Sequence, residues 1–536
     1  MIIRTKKRPR PLGLDEPIRH ENHKAPVTRR DFIAQGMRTG PAIIAAPAAL
    51  ALLLQAQKAG AMSPDLEALL APETTPGGLC NVQAGAGKVP FICFDLAGGA
   101  NLNGSEILLG AGGDPLNFLS TAGYAKLGLP GNMTPASTTA DFINEEFGAA
   151  WHSDGAILRG MQMSTVAATR AKVNGFPIAA RSENDTGNNP HNPMYGINRI
   201  GARGQLLTLI GSQNTDSGGN SMAPANMMNA AARPTKVDRA SDVTGLVDTG
   251  ELGTLFANQD DAIAVLESMT RLSHSKADLA QVELANSVDE AALRKLVKCG
   301  YLKSTYLADR FRTPSALNPD LDPDIVGATG IFTTAEYQAD GEFRKAAAIM
   351  KMVINGYAGA GTITMGGFDY HGQGRETGEM RNFRAGRCIG ACLEYAARMG
   401  KPLMIYVFSD GALSANGVVS DAVLGRGKLD WASDNQATAA TFVLVYKPSA
   451  KPEFRSATRK QIGSYSTAGD VIASSAPSAN AVNLLDETVL LNYMALHGEE
   501  GNFPTLFPTH GLGGTAARDG LTMIQPVCSG TIGTPV

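Results

Sequence analysis

The sequence predicts an α/β protein, a mostly parallel sheet with helices on both faces, and three observations carry that expectation. Short apolar runs recur as VPFICFDL, GTITMGG, PLMIYVFSD and TAATFVLVYK. Strands that are apolar throughout, rather than alternating, are those covered on both faces of a parallel sheet. Stretches with apolar residues three and four apart precede the second and third of these runs, at about 343–357 and 378–399, as crossover helices require. The first three runs end in Gly, Ser, Asp or Asn residues, the turn chemistry that closes a strand.

In chain order, the first predicted element is an export signal. A basic start, MIIRTKKRPR, leads to VTRRDFIAQG with Arg29 and Arg30 adjacent, then to the small-residue run GPAIIAAPAALALLLQAQ and Ala59-Gly60-Ala61. Twin arginines, a modest apolar segment and an A-x-A ending predict a twin-arginine (Tat) signal over 1–61, cleaved after Ala61. The alternative is a short membrane anchor, but Pro41 and Pro47 interrupt the run, and it falls short of the roughly 20 strongly apolar residues that a spanning helix takes. The mature chain is therefore expected to be periplasmic or exported, with no integral membrane span. Lys and Arg total 47 against 50 Asp and Glu, a balance that gives no electrostatic reason for a nucleic-acid groove or an anionic membrane surface.

A lead-in, 62–88, precedes one α/β domain over 89–536. Val89–Leu96 reads as its first core strand, stopping at AGGANLNG, and GAILRGMQ (155–162) as a second strand before the polar loop ARSENDTGNNPHNPMYGI. The Asn/Ser/Gly-rich stretch 212–229 reads as a loop. A long helical pattern without strand signals marks a helical insertion at about 250–315. Cys388 and Cys392, four apart on a predicted helix, would hold their Cβ atoms roughly 5–6 Å apart, too far for a disulfide, and are expected as packed thiols.

In such sheets ligands bind beyond the carboxyl ends of the strands. The residues there are Gly98–Asn103 after the first strand, Asp369 and His371 after GTITMGG, and Ser409, Asp410 and Asn416 after PLMIYVFSD. Two ligands two apart on a glycine-rich loop can reach one divalent cation. Asp410 would face the same crevice, and Asp434, in WASDNQATAATF, supplies a third carboxylate. The bland reading of each is a turn or cap residue.

The segments TRRDFI, FDLAGGANLNG, GGFDYHGQ, VFSDGALSANG and SDNQATAATFVLV, in that order from about Val27 to Val445, resemble a Tat-exported bacterial family, domain of unknown function 1501, which is similar to the alkaline phosphatase and sulfatase superfamily. The resemblance implies an alkaline-phosphatase-like sandwich and a metal-assisted hydrolase site for phosphate or sulfate esters. Four positions depart from the family pattern: Asn101 replaces an aspartate, Pro190 the serine before His191, Asp410 a glutamate, and Asn435 the histidine after Asp434. No hydroxyl nucleophile stands at 190, although Ser182 and Thr186 are near in sequence and Ser105 follows the first glycine turn.

Two readings follow. In the first, Asp369, His371, Asp410 and Asp434 hold one divalent cation (Zn, Mn, Mg or Ca), and Asn101, Asn103 and His191 orient a small anionic ester. In the second, the fold is kept, catalysis is lost, and the crevice binds a ligand or protein of the cell envelope. Gly98-Gly99 lacks the third glycine of a dinucleotide fingerprint and any P-loop lysine. Trp151 and His152 are expected in the core and at the surface respectively. His497 and His510 are candidates to complete a metal shell, and Arg381, Arg384, Arg387 and Arg398 are expected on a solvated helix face.

Overall fold

The computed structural model describes residues 62–71, 76–80, 87–136, 139, 141–182, 189–247, 259–279, 287–311, 314–372 and 374–535. The export signal and Thr186 lie outside them. Among the described residues the chain divides into a large unit, within 68–247 and 306–535, and a small one, within 62–67 and 259–305.

The large unit is built on a seven-stranded sheet. Its strands are β1 (Phe91–Leu96), β2 (Val173–Ala179), β3 (Leu207–Gly211), β4 (Thr235–Lys236), β5 (Ala358–Met365), β6 (Leu403–Ser409) and, after an antiparallel hairpin of β7 (Leu413–Val419) and β8 (Leu429–Asp434), β9 (Ala440–Tyr446). They lie in the order β2-β9-β6-β1-β5-β3-β4. Only β9 opposes the others, pairing antiparallel with β2 and β6, so the sheet is mixed but mostly parallel. That geometry brings the C-terminal ends of β1, β2, β5 and β6 and the start of β9 to one edge.

Helices cover both faces. On one lie α1 (Ala156–Ser164), α5 (Gly341–Ile354) and α6 (Arg375–Arg398); on the other, α2 (Met194–Ile200) and α7 (Val482–Ala495). The period of two along each strand assigns the faces. A Cβ at Gly361 would meet Ile349 and Val353 of α5, whereas Phe91 packs edge-on against Tyr493 of α7 at 5.6 Å, and Asn192 donates to Thr362 Oγ1 at 3.1 Å. Local chemistry sets the helix starts: the Asp340 carboxylate caps α5 through Glu342 N (2.9 Å), and Asp430 of β8 accepts from Arg375 N at the start of α6 (2.8 Å).

The GAILRGMQ segment, expected as a strand, is helix α1. A short apolar run does not by itself distinguish the two states, and Gly160 is where α1 crosses α6: a Cβ there would fall 2.3 Å from the Phe383 carbonyl. The second strand is instead VNGFPIA, β2. The pattern at 250–315 contains α3 (Gln259–Leu279) and α4 (Ser287–Arg310). Within the small unit, Thr270 and Thr305 pair their buried hydroxyls at 2.7 Å, and His274 Nε2 lies 2.9 Å from the Lys298 carbonyl.

Cys388 and Cys392 are free and buried, as expected. Trp151 is core, but so is His152, which lies 2.9 Å from the Met133 carbonyl and stacks on Phe142; burial pushes its pKa down to about 4. Arg387 is not on a solvated face either. It lies over the Phe343 and Phe332 rings and pairs with Glu336 at 2.7 Å. No helix among the described residues is long and apolar enough to cross a membrane.

Candidate metal centre

The loops after β1 and β5 are joined at the carboxyl edge by Ala97 N to Met365 O and Phe368 N to Ala97 O, both 3.0 Å. Gly411, after β6, donates to the Gly98 carbonyl at 2.9 Å. Ser409 Oγ accepts from Ala100 N at 2.9 Å and lies 2.8 and 2.7 Å from the carbonyls of Leu96 and Gly98. Gly98 is required twice over. Its φ is +120°, and a Cβ would fall 2.2 Å from Asp369 N, so only glycine lets the two loops touch.

On this platform Tyr370 N closes a tight turn on the Phe368 carbonyl at 3.0 Å, and Asp369 and His371 flank Tyr370. Tyr370 points inward: it is fully buried, its hydroxyl accepts from Asn101 N at 3.1 Å, and its ring lies against Trp431. Asp369 and His371, on either side of it, are partly exposed. The end of β8 brings Asp434 to them, and one ligand atom from each of the three lies within 4.8 Å of the others. His371 Nδ1 pairs with Asp369 and lies 3.2 Å from Asp434 Oδ1. The side chains are 49, 38 and 50% exposed, which leaves room for water or a ligand.

An imidazole with two carboxylates fits a borderline divalent cation held by three protein ligands with an open position. It is a poorer match for calcium, which takes six to eight oxygens.

The other expected site residues lie elsewhere. Asp410 is fully buried and is not in the group of three: Ser221 Oγ donates to its Oδ1, and Asn220 Nδ2 to its Oδ2 at 2.9 Å. Asn101 is buried, with Nδ2 on the Leu413 carbonyl at 2.7 Å. Asn103 Oδ1 accepts from Leu109 N at 3.0 Å. His191 is buried against Phe408, and neither ring nitrogen has a hydrogen-bond partner among the described residues; burial pushes its pKa down to about 3, so it stays neutral. Of the hydroxyls, Ser105 is wholly buried, and Ser182 donates to the Asp410 carbonyl. His497 is occupied by Val89 N at 3.0 Å and lies 2.8 Å from the Tyr493 carbonyl, and His510 accepts from Leu512 N; neither belongs to the cluster.

Two features escaped the sequence reading. Asp95, buried inside β1, accepts from Asn220 N and Ser221 N at 2.6 and 3.0 Å, and its Oδ1 lies 3.3 Å from Ser221 Oγ. Burial holds its carboxyl above the usual range against those hydrogen bonds. A charge inside FICFDL was the available signal. Arg181, just beyond β2, lines a cleft of about 460 Å³ with Asp434, Asn435 and Gln436. Exposed, it makes no ion pair or hydrogen bond among the described residues, and nothing in its sequence context marks it.

Comparison with protein-family models, curated proteins and solved structures gave no match.

Proposed function

We propose that this chain is an exported, metal-dependent hydrolase of small phosphate or sulfate esters, built on an alkaline-phosphatase-like fold with a helical insertion at about 250–315. The observation that carries the chemistry is the convergence of Asp369, His371 and Asp434 at the carboxyl edge of a mostly parallel sheet, beside a cleft whose wall bears Arg181, unpaired among the described residues. The family resemblance supports the ester class, and the twin arginines with the A-x-A ending support export through the Tat pathway to the periplasm or beyond.

Asp369, His371 and Asp434 would hold the cation, which supplies charge neutralisation on the ester oxygens and makes an attacking water more acidic. Arg181 is placed to pair with an anionic oxygen. In the reaction, the water oxygen bonds to phosphorus or sulfur. The bond to the ester oxygen breaks with its electron pair, and a proton from water ends on that oxygen, releasing an alcohol.

A second reading, a catalytically decayed envelope binding protein, draws on the side chains of Asn101 and Asp410. Both are engaged by interior partners, so three donors remain where the family pattern implies more. Elemental analysis of mature protein prepared without chelator, beside Asp369→Ala and His371→Ala, separates the two. About one divalent metal per chain, lost in both variants together with ester hydrolysis, is expected; metal content unchanged in both variants would refute the centre. Absence of metal from the wild type would favour the decayed reading.

A further inference from the structure

The cleft beside Asp434 shares a lining residue, Ala473, with a second cleft of about 490 Å³. The two differ in character. Arg181, Asp434, Asn435 and Gln436 line the first, whereas the second is lined mainly by small and apolar residues such as Pro477, Leu512, Ala517 and Leu521, with Ser474, Ser475 and Asn480 polar but uncharged, and carries no ionisable side chain among its described lining residues. Small side chains leave its volume open, and each cleft lies within the roughly 300–1,000 Å³ of small-molecule sites.

We propose that the two clefts form one elongated substrate site, in which the anionic head binds beside Asp434 and Arg181 and an uncharged, largely apolar alcohol portion lies in the second cleft. The commitment to an uncharged group follows from charge complementarity. An ionic tail would lose hydration there and meet no counter-charge, whereas an aryl or alkyl group gains roughly 25 cal/mol for each Å² of apolar surface removed from water. This inference rests on the anionic-ester reading above and adds the part of the substrate that reading leaves open.

The test is calorimetric binding to the metal-loaded mature protein of two probe pairs, methyl against 1-naphthyl phosphate and methyl against 1-naphthyl sulfate, whose heads distinguish the two esters. For at least one pair the naphthyl member is expected to bind about tenfold tighter or more. Ala517→Trp, which fills the second cleft from an exposed helix, should remove that advantage without changing methyl-ester binding. Ala516→Trp, the neighbouring exposed position outside the lining, should leave both unchanged and controls for folding. Equal affinity within both pairs, or a naphthyl advantage that survives Ala517→Trp, would overturn the second cleft alone. If no probe bound a protein of intact metal content, the anionic-ester reading would fall and the elongated site with it.

Discussion

Replacing Glu106 by glutamine should remove a fall in stability between about pH 4.5 and 7. Glu106 is fully buried between α1 and α6, where Oε2 accepts from Ile157 N and Oε1 from Asn382 Nδ2, both 2.8 Å. Near it, Glu379 binds Arg375 at 2.9 Å and Lys428 and Arg159 at 2.8 Å, and Asp154 lies 3.5 Å from the Lys428 ammonium. Burial, reinforced by the Glu379 charge and opposed by Lys428 and the two hydrogen bonds, raises the Glu106 pKa from 4.5 to about 7. The folded state therefore keeps a proton that the unfolded chain releases. The favourable contribution is fully present below pH 4.5 and lost as pH rises through 7. The span corresponds to about 3 kcal/mol, a large part of the roughly 5–15 kcal/mol that holds a typical domain together. Urea unfolding of wild type and Glu106→Gln at pH 5, 6, 7 and 8 reads it directly, because other titrations largely cancel in the difference. The variant should gain on the wild type by on the order of 3 kcal/mol between pH 5 and 8. A difference that does not change with pH would refute the protonated, buried carboxyl.

Gly98→Ala should destabilise the protein by at least about 2 kcal/mol and reduce metal content, because the added methyl meets Asp369 N; thermal unfolding and elemental analysis of the same preparation would show both, and a fully loaded, equally stable variant would contradict the loop contact. Ser221→Ala removes a donor shared by two buried carboxylates, Asp95 and Asp410. A loss of about 1–3 kcal/mol in urea unfolding is expected, with metal content kept; loss of metal would place Asp410 back among the ligands.

Asp369, His371 and Asp434 were legible as candidates because turn-rich ends of apolar strands are where a parallel sheet presents its side chains. Asp410 was read in the same way, and the backbone sent it inward. Which way a residue beyond a strand faces depends on one residue of register and on the loop that packs over it. Ser221 and Asn220, the partners that keep Asp410 inside, lie 189 and 190 residues away in sequence. The helical identity of GAILRGMQ was hidden for a similar reason: its glycine serves a crossing with α6, more than 200 residues later.

By itself, the sequence determined the class of fold, the positions of the apolar strands β1, β5, β6 and β9, the helices before β5 and β6, and the placing of an aspartate and a histidine two apart on a glycine-rich loop. These follow from periodicity and turn chemistry, which act over a few residues. Only the tertiary structure decided that Asp434 joins Asp369 and His371, that Asn101, Asn103, His191 and Asp410 are interior, and that Arg181 faces the cleft. Those outcomes depend on contacts between distant segments, where close packing and the penalty for an unpaired buried polar group select one arrangement.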